Sequence, residues 1–206
     1  MKYVIVGGVA GGATTAARLR RIDEHAEIIM LEKGPHISYA NCGLPYYIGG
    51  IIKDRNKLLV QTPESFNARF NIDIRIHSEV ISVDSDTKSV EVRKTKTGET
   101  YTETYDKLIL SPGASAIKPP IPGINSPNIF TLRNVQDTDK IKAFVDDEHP
   151  RSAVVVGAGF IGLEMAENLH HIGVKVTVVE AASQVMNMMD SEIAAPIHQH
   201  FKEKNV

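Results

Sequence analysis

Several features are scarce or missing in this sequence of 206 residues. It has one cysteine and no tryptophan, and no apolar run approaches the ~20 residues of a membrane span. A single cysteine excludes an intramolecular disulfide framework. The net charge is −2, from 25 acidic and 23 basic residues, so the chain lacks the excess of basic residues that is typical of nucleic-acid-binding proteins. The apolar stretch after Met1 is too short for a secretory signal, so we expect a soluble cytoplasmic protein.

A glycine-rich turn near the N-terminus predicts a dinucleotide-binding unit. A strand over 3–6 leads into the turn, a helix follows to Ile22, and a buried strand ends at Glu32. The turn reads Gly7-Gly8-Val9-Ala10-Gly11-Gly12. In such a βαβ unit the glycines allow a tight turn and close helix packing, and a pyrophosphate binds at the helix N-terminus. Glu32 stands where an acceptor for ribose hydroxyls belongs, but Val9 replaces the central glycine of the fingerprint.

A second glycine-rich turn matches the same fingerprint completely. A strand over 153–156 enters Gly157-Ala158-Gly159-Phe160-Ile161-Gly162, and a helix follows to about His171. The next strand, 174–179, ends in Glu180, which would accept ribose hydroxyls and repel a 2′-phosphate. No arginine stands in 181–184 to hold that phosphate, so NADH is favoured over NADPH, which stays possible.

Between the two turns the pattern changes to short strands. Thr62 and Pro63 open a helix to about residue 70, and alternating strands are predicted at 73–77, 80–83, 89–93, 100–104 and 107–110. A proline-rich connector at 119–123 follows, and further helices are predicted at 135–145 and 191–204. We therefore predict an α/β chain of two Rossmann-like units with a β-meander insertion, divided into domains 1–114 and 115–206.

The only cysteine lies in a loop-forming stretch, residues 38–47. It reads Ser38-Tyr39-Ala40-Asn41-Cys42-Gly43-Leu44-Pro45-Tyr46-Tyr47. Pro45 suits the first turn of a helix, with Leu44 as its N-cap. Cys42 would then stand just before a helix N-terminus, where partial positive charge favours a thiolate. The alternative is that Cys42 is a small buried hydrophobic residue.

These motifs together carry a resemblance to a known family. The segments 6–14, 38–46 and 107–114, with the second glycine turn, resemble the N-terminal half of FAD-dependent pyridine nucleotide-disulfide oxidoreductases, and within them the CoA-disulfide reductase branch. This branch often lacks the central glycine of the FAD turn, which accounts for Val9. The resemblance implies that the first unit binds FAD, that the second binds NADH or NADPH, and that the complete protein is a homodimer.

The resemblance also implies which residues bind the cofactors. For FAD they are Gly7, Gly8, Val9, Ala10, Gly11, Gly12, Glu32, Lys33, Ser111, Pro112 and Gly113. For the nicotinamide dinucleotide they are Gly157, Gly159, Phe160, Ile161, Gly162, Glu164 and Glu180. Phe160 matches an aromatic gate over the flavin and Glu164 matches an acid near the nicotinamide pocket, although both could simply pack.

The single cysteine selects among the branches of the family. No second thiol follows Cys42, so the site would alternate between a thiol and either a mixed disulfide or a sulfenic acid. The sulfenic-acid relatives, NADH peroxidases and oxidases, carry a histidine where this chain has Ala10. The implied reaction passes hydride from NAD(P)H through FAD to a Cys42 mixed disulfide, and so reduces CoA disulfide or a related low-molecular-weight disulfide or persulfide. An oxidase or peroxidase, and a non-catalytic nucleotide-binding fragment, remain as alternatives.

A row of side chains on the first helix is a candidate substrate site. Thr14, Arg18 and Arg21 are spaced i, i+4 and i+7, so they share one helix face. That face could be a solvated cationic surface, but in the family this helix lines the CoA site, and guanidinium groups suit phosphates. By resemblance, Ser38 and Asn41 would also contact the substrate near Cys42.

Two groups of residues are interpreted as structural. His170 and His171 end a helix, and His198 and His200 face different directions, so no metal site is predicted. Met186, Met188 and Met189 are expected to pack in the core or in a loop. The family's later Gly-Asp segment and dimerisation domain are not in this sequence, so we expect this chain alone to hold FAD weakly and to turn over poorly.

Overall fold

The computed structural model describes all residues from 1 to 206. The strands are β1 (Lys2–Val6), β2 (Glu27–Leu31), β3 (Asp73–Arg75), β4 (Ser78–Asp84), β5 (Ser89–Lys94), β6 (Thr100–Thr104), β7 (Lys107–Leu110), β8 (Ser152–Val156) and β9 (Lys175–Val179). The α-helices are α1 (Ala10–Ile22), α2 (Leu44–Ile48), α3 (Pro63–Phe70), α4 (Val135–Glu148), α5 (Phe160–His171) and α6 (Ser191–Glu203). Short 3₁₀ turns cover Asn41–Gly43 and Arg55–Leu58.

The chain forms two compact units. The first consists of Met1–Ala40 and Leu59–Ser115, and the second of Asn41–Leu58 and Ala116–Val206. The segment 41–58, which holds the cysteine, therefore packs with the second unit, although the sequence-based division grouped it with domain 1–114. The assignment of FAD to one unit and of NAD(P)H to the other stays a prediction. None of the helices has the length and apolar character needed to cross a membrane.

The first unit is built on a parallel sheet in the order β3-β2-β1-β7. Both faces are buried, which is typical of parallel sheets. Ile5, Ile28 and Met30 pack on one face with residues of α1 and α3. Val4, Ile29 and Leu31 pack on the other face against Val90 and Val92 of β5. The alternation of neighbouring residues between faces follows from the two-residue period of a strand.

The antiparallel meander β4-β5-β6 is the predicted insertion. Two strands predicted in the same block, β3 and β7, belong to the parallel sheet instead, because they pair with β2 and β1. Its core strand is β5, whose Val90 and Val92 are fully buried. The meander covers the second face of the parallel sheet through these two valines. It is thereby a part of the first unit and not a separate domain.

The second unit has a parallel pair, β8 and β9, with helices packed around it. Its core contains Ile48 of α2, Ile141 and Val145 of α4, and Met165 and Leu169 of α5. Val154 and Val156 of β8 are 65% and 81% exposed.

Most element boundaries agree with the sequence prediction, with a few corrections. Helix α1 begins at Ala10, inside the glycine turn, whereas the sequence analysis expected the helix to follow the turn. Helix α2 begins at Leu44 with Gly43 as N-cap, so the prediction that Leu44 is the N-cap was wrong. Gly43 already has helical angles, since it continues the preceding 3₁₀ turn. Helix α3 begins as predicted, with Thr62 in a capping box and Pro63 in the first turn.

Candidate cofactor and redox site

The first glycine turn lies at the carboxyl edge of the parallel sheet. Val6 is in register with Leu31 of β2 and Leu110 of β7, so the residues that follow them, Gly7, Glu32 and Ser111, reach the same edge. A Cβ on Gly7 would overlap the carbonyl oxygen of Ser111, and one on Gly12 would overlap the carbonyl oxygen of Gly7. The sequence therefore needs glycine at both positions for strand, turn and helix to pack this closely.

The N-terminus of α1 is left open. Val9 is its N-cap, no side chain caps the helix, and the first turn contains no acidic residue. The exposed Ala10 and Gly11 begin the helix, and the side chain of Ser111 would touch a Cβ on Gly11. Uncapped N–H groups at a helix start favour an anionic ligand.

The carboxylate of Glu32 supports the turn from β2. Its Oε2 accepts a hydrogen bond from the backbone N–H of Gly8 at 2.8 Å, and its Oε1 accepts one from Gly34 at 2.7 Å. The residue is only 9% exposed. A carboxylate has about four acceptor positions, so two remain for ribose hydroxyls. The sequence pattern predicted Glu32 as an acceptor for ribose hydroxyls, but not its hydrogen bonds from the backbone N–H groups of Gly8 and Gly34. The neighbouring Lys33 is exposed, as are Pro112 and Gly113 after β7.

The second glycine turn repeats this construction. Val156 and Val179 are in register, so Gly157 and Glu180 follow them at the same edge. Glu180 accepts hydrogen bonds from the backbone N–H of Ala158 at 2.7 Å and of Ala182 at 2.9 Å. These donors, with Ala182 contributing most, lower the pKa of Glu180. A Cβ on Gly162 would overlap the carbonyl oxygen of Gly157, as in the first unit.

The helix after the second turn presents its first residues to solvent. Gly159 is the N-cap of α5, with no side-chain cap, and nothing lies within 4 Å of a Cβ at that position. Phe160 and Ile161 are 60% and 56% exposed, so neither is a core residue. Phe160 and Glu164 line a cavity of about 660 Å³ together with residues of α6 and the loop before it.

Cys42 is exposed and lies in the 3₁₀ turn directly before α2. The alternative of a buried hydrophobic residue is thereby wrong. The segment 41–58 is held on α4 and α5 of the second unit. Ile48 enters the core, the ring of Tyr47 lies 6.0 Å from Nζ of Lys142, and Arg55 donates two hydrogen bonds to Asp139 at 2.7 and 2.6 Å.

The candidate substrate residues divide between the two units. Thr14, Arg18 and Arg21 are exposed on α1, and the two arginines form no ion pair, whereas Arg20 donates to the carbonyls of Phe70 and Asn71. Ser38 also belongs to the first unit. Its φ is +44°, and its carbonyl oxygen accepts from the backbone N–H of Val60.

Asn41 belongs to the second unit, next to Cys42, and its buried Oδ1 has no hydrogen-bond partner.

The histidines and methionines that the sequence analysis interpreted as structural differ in their exposure and hydrogen bonds. His170, His171 and His200 are exposed, and His198 accepts a hydrogen bond from the backbone N–H of Val185. No group of three or more His, Cys, Asp and Glu side chains could hold a metal ion. Met186 is buried, and its N–H donates to the carbonyl oxygen of Ala158 in the second glycine turn. Met188 is 60% exposed, so its expected packing was wrong.

Comparison with known proteins identifies the family. The whole chain, residues 1–206, matches the family model for pyridine nucleotide-disulphide oxidoreductases. It is 43% identical to a coenzyme A disulfide reductase of Staphylococcus epidermidis over 205 residues, which is 100% of this chain and 46% of the relative. The chain thus spans about half the length of the relatives it matches.

Two solved structures are also similar to the chain. The reduced CoADR-RHD of Bacillus anthracis has a TM-score of 0.97 and 58% identity, and the match covers 100% of this chain and 37% of that one. The NAD-dependent persulfide reductase of A. fulgidus has a TM-score of 0.94 and 36% identity, covering 100% and 39%. With its two braced glycine turns and its full-length match to the family model, the chain belongs to the pyridine nucleotide-disulphide oxidoreductase family.

Proposed function

We propose that this chain is the nucleotide- and thiol-bearing part of a flavin-dependent reductase. It uses NAD(P)H to reduce CoA disulfide, or a related low-molecular-weight disulfide or persulfide, at Cys42. The observation that carries the proposal is the exposed thiol of Cys42. It lies in a segment that packs with the second unit, which contains the second glycine turn, and the first unit has a glycine turn of the same construction. The similarity to CoA disulfide reductases and to a persulfide reductase supports the substrate class.

The first unit fits FAD. The uncapped start of α1 offers N–H groups to a pyrophosphate, the missing side chain at Gly12 permits the close turn, and Glu32 retains acceptor positions for a ribose. Ser111, Pro112 and Gly113 follow β7 at the same edge of the sheet and would complete this side of the pocket.

The second unit fits NADH better than NADPH. The lowered pKa of Glu180 keeps its carboxylate ionised at neutral pH, and a negative charge there repels a 2′-phosphate. Residues 181–184 offer no cation in compensation. The open space around Gly159 leaves room for the pyrophosphate of the dinucleotide.

The chemistry at Cys42 begins with its thiolate. The thiolate attacks one sulfur of CoA disulfide, the S–S bond of the substrate breaks, a Cys42–S–S–CoA bond forms, and one CoA thiolate leaves. Two electrons, which FAD and NADH supply when bound, then cleave the mixed disulfide into the second CoA thiolate and the Cys42 thiolate. The exposed guanidinium groups of Arg18 and Arg21 suit the phosphates of CoA.

The first chemical step can be tested on the chain without a catalytic cycle. The purified, reduced chain is mixed with CoA disulfide, and intact-mass spectrometry measures the adduct. We expect one CoA per chain, released again by a thiol reductant, and no adduct on the Cys42→Ser variant, because the chain has no other thiol.

Two control reagents make the result specific. A small aromatic disulfide reports whether Cys42 is reactive at all, and hydrogen peroxide tests for the sulfenic acid that an oxidase or peroxidase would use. Reaction with the aromatic disulfide but not with CoA disulfide would contradict the proposal. A sulfenic acid formed without any CoA adduct would favour the peroxide chemistry instead.

A further inference from the structure

The loop between β9 and α6 is held on both sides by two consecutive backbone N–H groups. The N–H of Val185 donates to Nε2 of His198 in α6 at 3.1 Å. The N–H of Met186 donates to the carbonyl oxygen of Ala158, in the second glycine turn, at 2.8 Å. The imidazole of His198 is thus connected to the glycine turn through two hydrogen bonds and one short stretch of loop backbone.

The hydrogen bond to Ala158 sets the direction of an N–H group at the start of α5. The carbonyl of Ala158 and the N–H of Gly159 belong to one planar trans peptide and point in opposite directions, so holding the carbonyl fixes the N–H. Gly159 is the N-cap of α5, and its N–H has no acceptor within the chain. The loop therefore orients a free donor where a pyrophosphate would bind.

Met186 has a backbone conformation that depends on these contacts. Its φ is +50°, in the left-handed region that is disfavoured for residues with a long side chain. The residue is 2% exposed, and its carbonyl oxygen accepts from the N–H of Met189 at 2.8 Å. Such a strained residue persists only where its surroundings hold it. Loss of the neighbouring hydrogen bond between Val185 and His198 would remove one of these constraints.

We propose that His198 is a positioning residue for dinucleotide binding and makes that binding depend on pH. This inference rests on the proposed function of the second unit as the NAD(P)H site. A neutral imidazole has one nitrogen that accepts a hydrogen bond, whereas both nitrogens of a protonated imidazole are donors. Protonation of His198 therefore removes the acceptor of the Val185 N–H, and the dinucleotide binds more weakly in acid.

The other charged groups near this contact do not titrate in the same range as histidine. The loop residues 181–189 contain no ionisable side chain, and Glu180 and Asp190 stand at the two ends of the loop. Lys202 follows His198 by one turn of α6. Carboxylates and lysines ordinarily keep their charge between pH 5.5 and 8, whereas histidine changes its charge there. The lowered pKa of Glu180 keeps the ribose acceptor ionised throughout.

The test is the dissociation constant of ADP-ribose, measured by calorimetry on the purified chain at pH 8 and pH 5.5. This probe carries the adenosine and the pyrophosphate of NADH, and its pyrophosphate keeps its charge at both pH values. We expect the wild type to bind about fivefold more weakly at pH 5.5, the effect of one lost hydrogen bond. His198→Gln, whose amide oxygen accepts at both pH values, should bind equally well at both. His198→Leu has no acceptor and should bind about fivefold more weakly than the wild type at pH 8, without any acid.

His200→Gln is the matched control, because it removes another imidazole of α6 and leaves the hydrogen bond of His198 in place. Its pH dependence should match that of the wild type. Equal dissociation constants of the wild type at the two pH values would overturn the inference, as would an equal weakening in His198→Gln or full affinity in His198→Leu at pH 8. If the wild type bound neither ADP-ribose nor NADH at pH 8, the proposed nucleotide site itself would be wrong.

Discussion

At the scale of single residues, Gly162 and Gly159 differ sharply in the space around them. A Cβ on Gly162 would overlap the carbonyl oxygen of Gly157, whereas a Cβ on Gly159 would meet nothing within 4 Å. Gly159 also has an extended backbone that any residue can adopt, with φ −81°. Gly159, the N-cap of α5, and Gly162, inside α5, therefore have different physical roles, although both belong to the same glycine fingerprint.

The residue-scale prediction compares alanine at these two positions. We expect Gly162→Ala to lower the free energy of unfolding by about 2–3 kcal/mol, because the backbone of the turn must move to admit the methyl group. Gly159→Ala should cost under about 1 kcal/mol, the usual effect of alanine at an N-cap. Urea unfolding followed by circular dichroism measures both. Equal losses in the two variants would contradict the packing argument.

At the scale of elements, a charge network joins the meander to the parallel sheet. Glu103 of β6 accepts hydrogen bonds from Nζ of Lys2 in β1 at 2.5 Å and from Nη1 of Arg75 in β3 at 2.6 Å. Only 12% of the Glu103 side chain is exposed. Burial by itself would raise the pKa of Glu103, but the two cations outweigh it and the pKa is lowered. The network complements the contact of Val90 and Val92 with the sheet.

The element-scale prediction concerns stability in acid. A carboxyl group whose pKa is lowered on folding stabilises the protein above its unfolded value, near 4.5, and this contribution is lost as the pH falls through the lowered folded value. We expect Glu103→Gln to cost about 2 kcal/mol at pH 7 and to reduce the loss of stability on acidification. Thermal unfolding from pH 7 to 3 measures it.

Glu99→Gln is the matched control, because Glu99 pairs with Lys94 on an exposed surface. It should leave stability at neutral pH nearly unchanged. If Glu99→Gln lost as much stability as Glu103→Gln, the burial of the network around Glu103 would not account for its contribution to stability.

At the scale of the whole molecule, the chain leaves the first unit at Ala40 and returns to it at Leu59. An isolated antiparallel β-bridge between Tyr39 and Leu59 joins the two positions of the first unit that flank this segment. The segment in between carries Cys42 and is fastened to the second unit by Ile48 and by the ion pair of Arg55 and Asp139. The thiol therefore belongs structurally to the unit with the second glycine turn.

The whole-molecule prediction is that loosening this attachment frees the cysteine segment alone. We expect Arg55→Ala to increase amide hydrogen exchange in 41–58 about fivefold, which corresponds to about 1 kcal/mol for a partly exposed ion pair. Hydrogen exchange read by mass spectrometry reports each segment separately. Arg93→Ala, which removes a similar pair with Glu79 in the first unit, should leave 41–58 unchanged. If 41–58 were equally protected from exchange in Arg55→Ala and Arg93→Ala, the ion pair of Arg55 and Asp139 would not hold the segment.

Local signals in the sequence were sufficient for both nucleotide units. Each strand, glycine turn and helix contacts its neighbours within about 30 residues, and the terminal acids Glu32 and Glu180 stand at set distances from the turns. The capped start of α3 was equally local, because Thr62, Pro63 and Ser65 alone make it. The strands of the meander followed from alternation and turn residues, which also act over short distances.

Contacts between distant residues were decided only by the tertiary structure. The sequence predicts a loop with a lone cysteine, but not that 41–58 packs with helices about 90 to 120 residues further on, because no local pattern encodes which apolar face Ile48 will meet. The contacts of Glu32 and Glu180 with the N–H groups of the turns have the same origin. The sequence by itself thus determined where the two glycine turns, their terminal acids and the lone cysteine stand in the chain. The packing of helices and strands determined their surroundings, since a pKa and a hydrogen bond depend on neighbours in space.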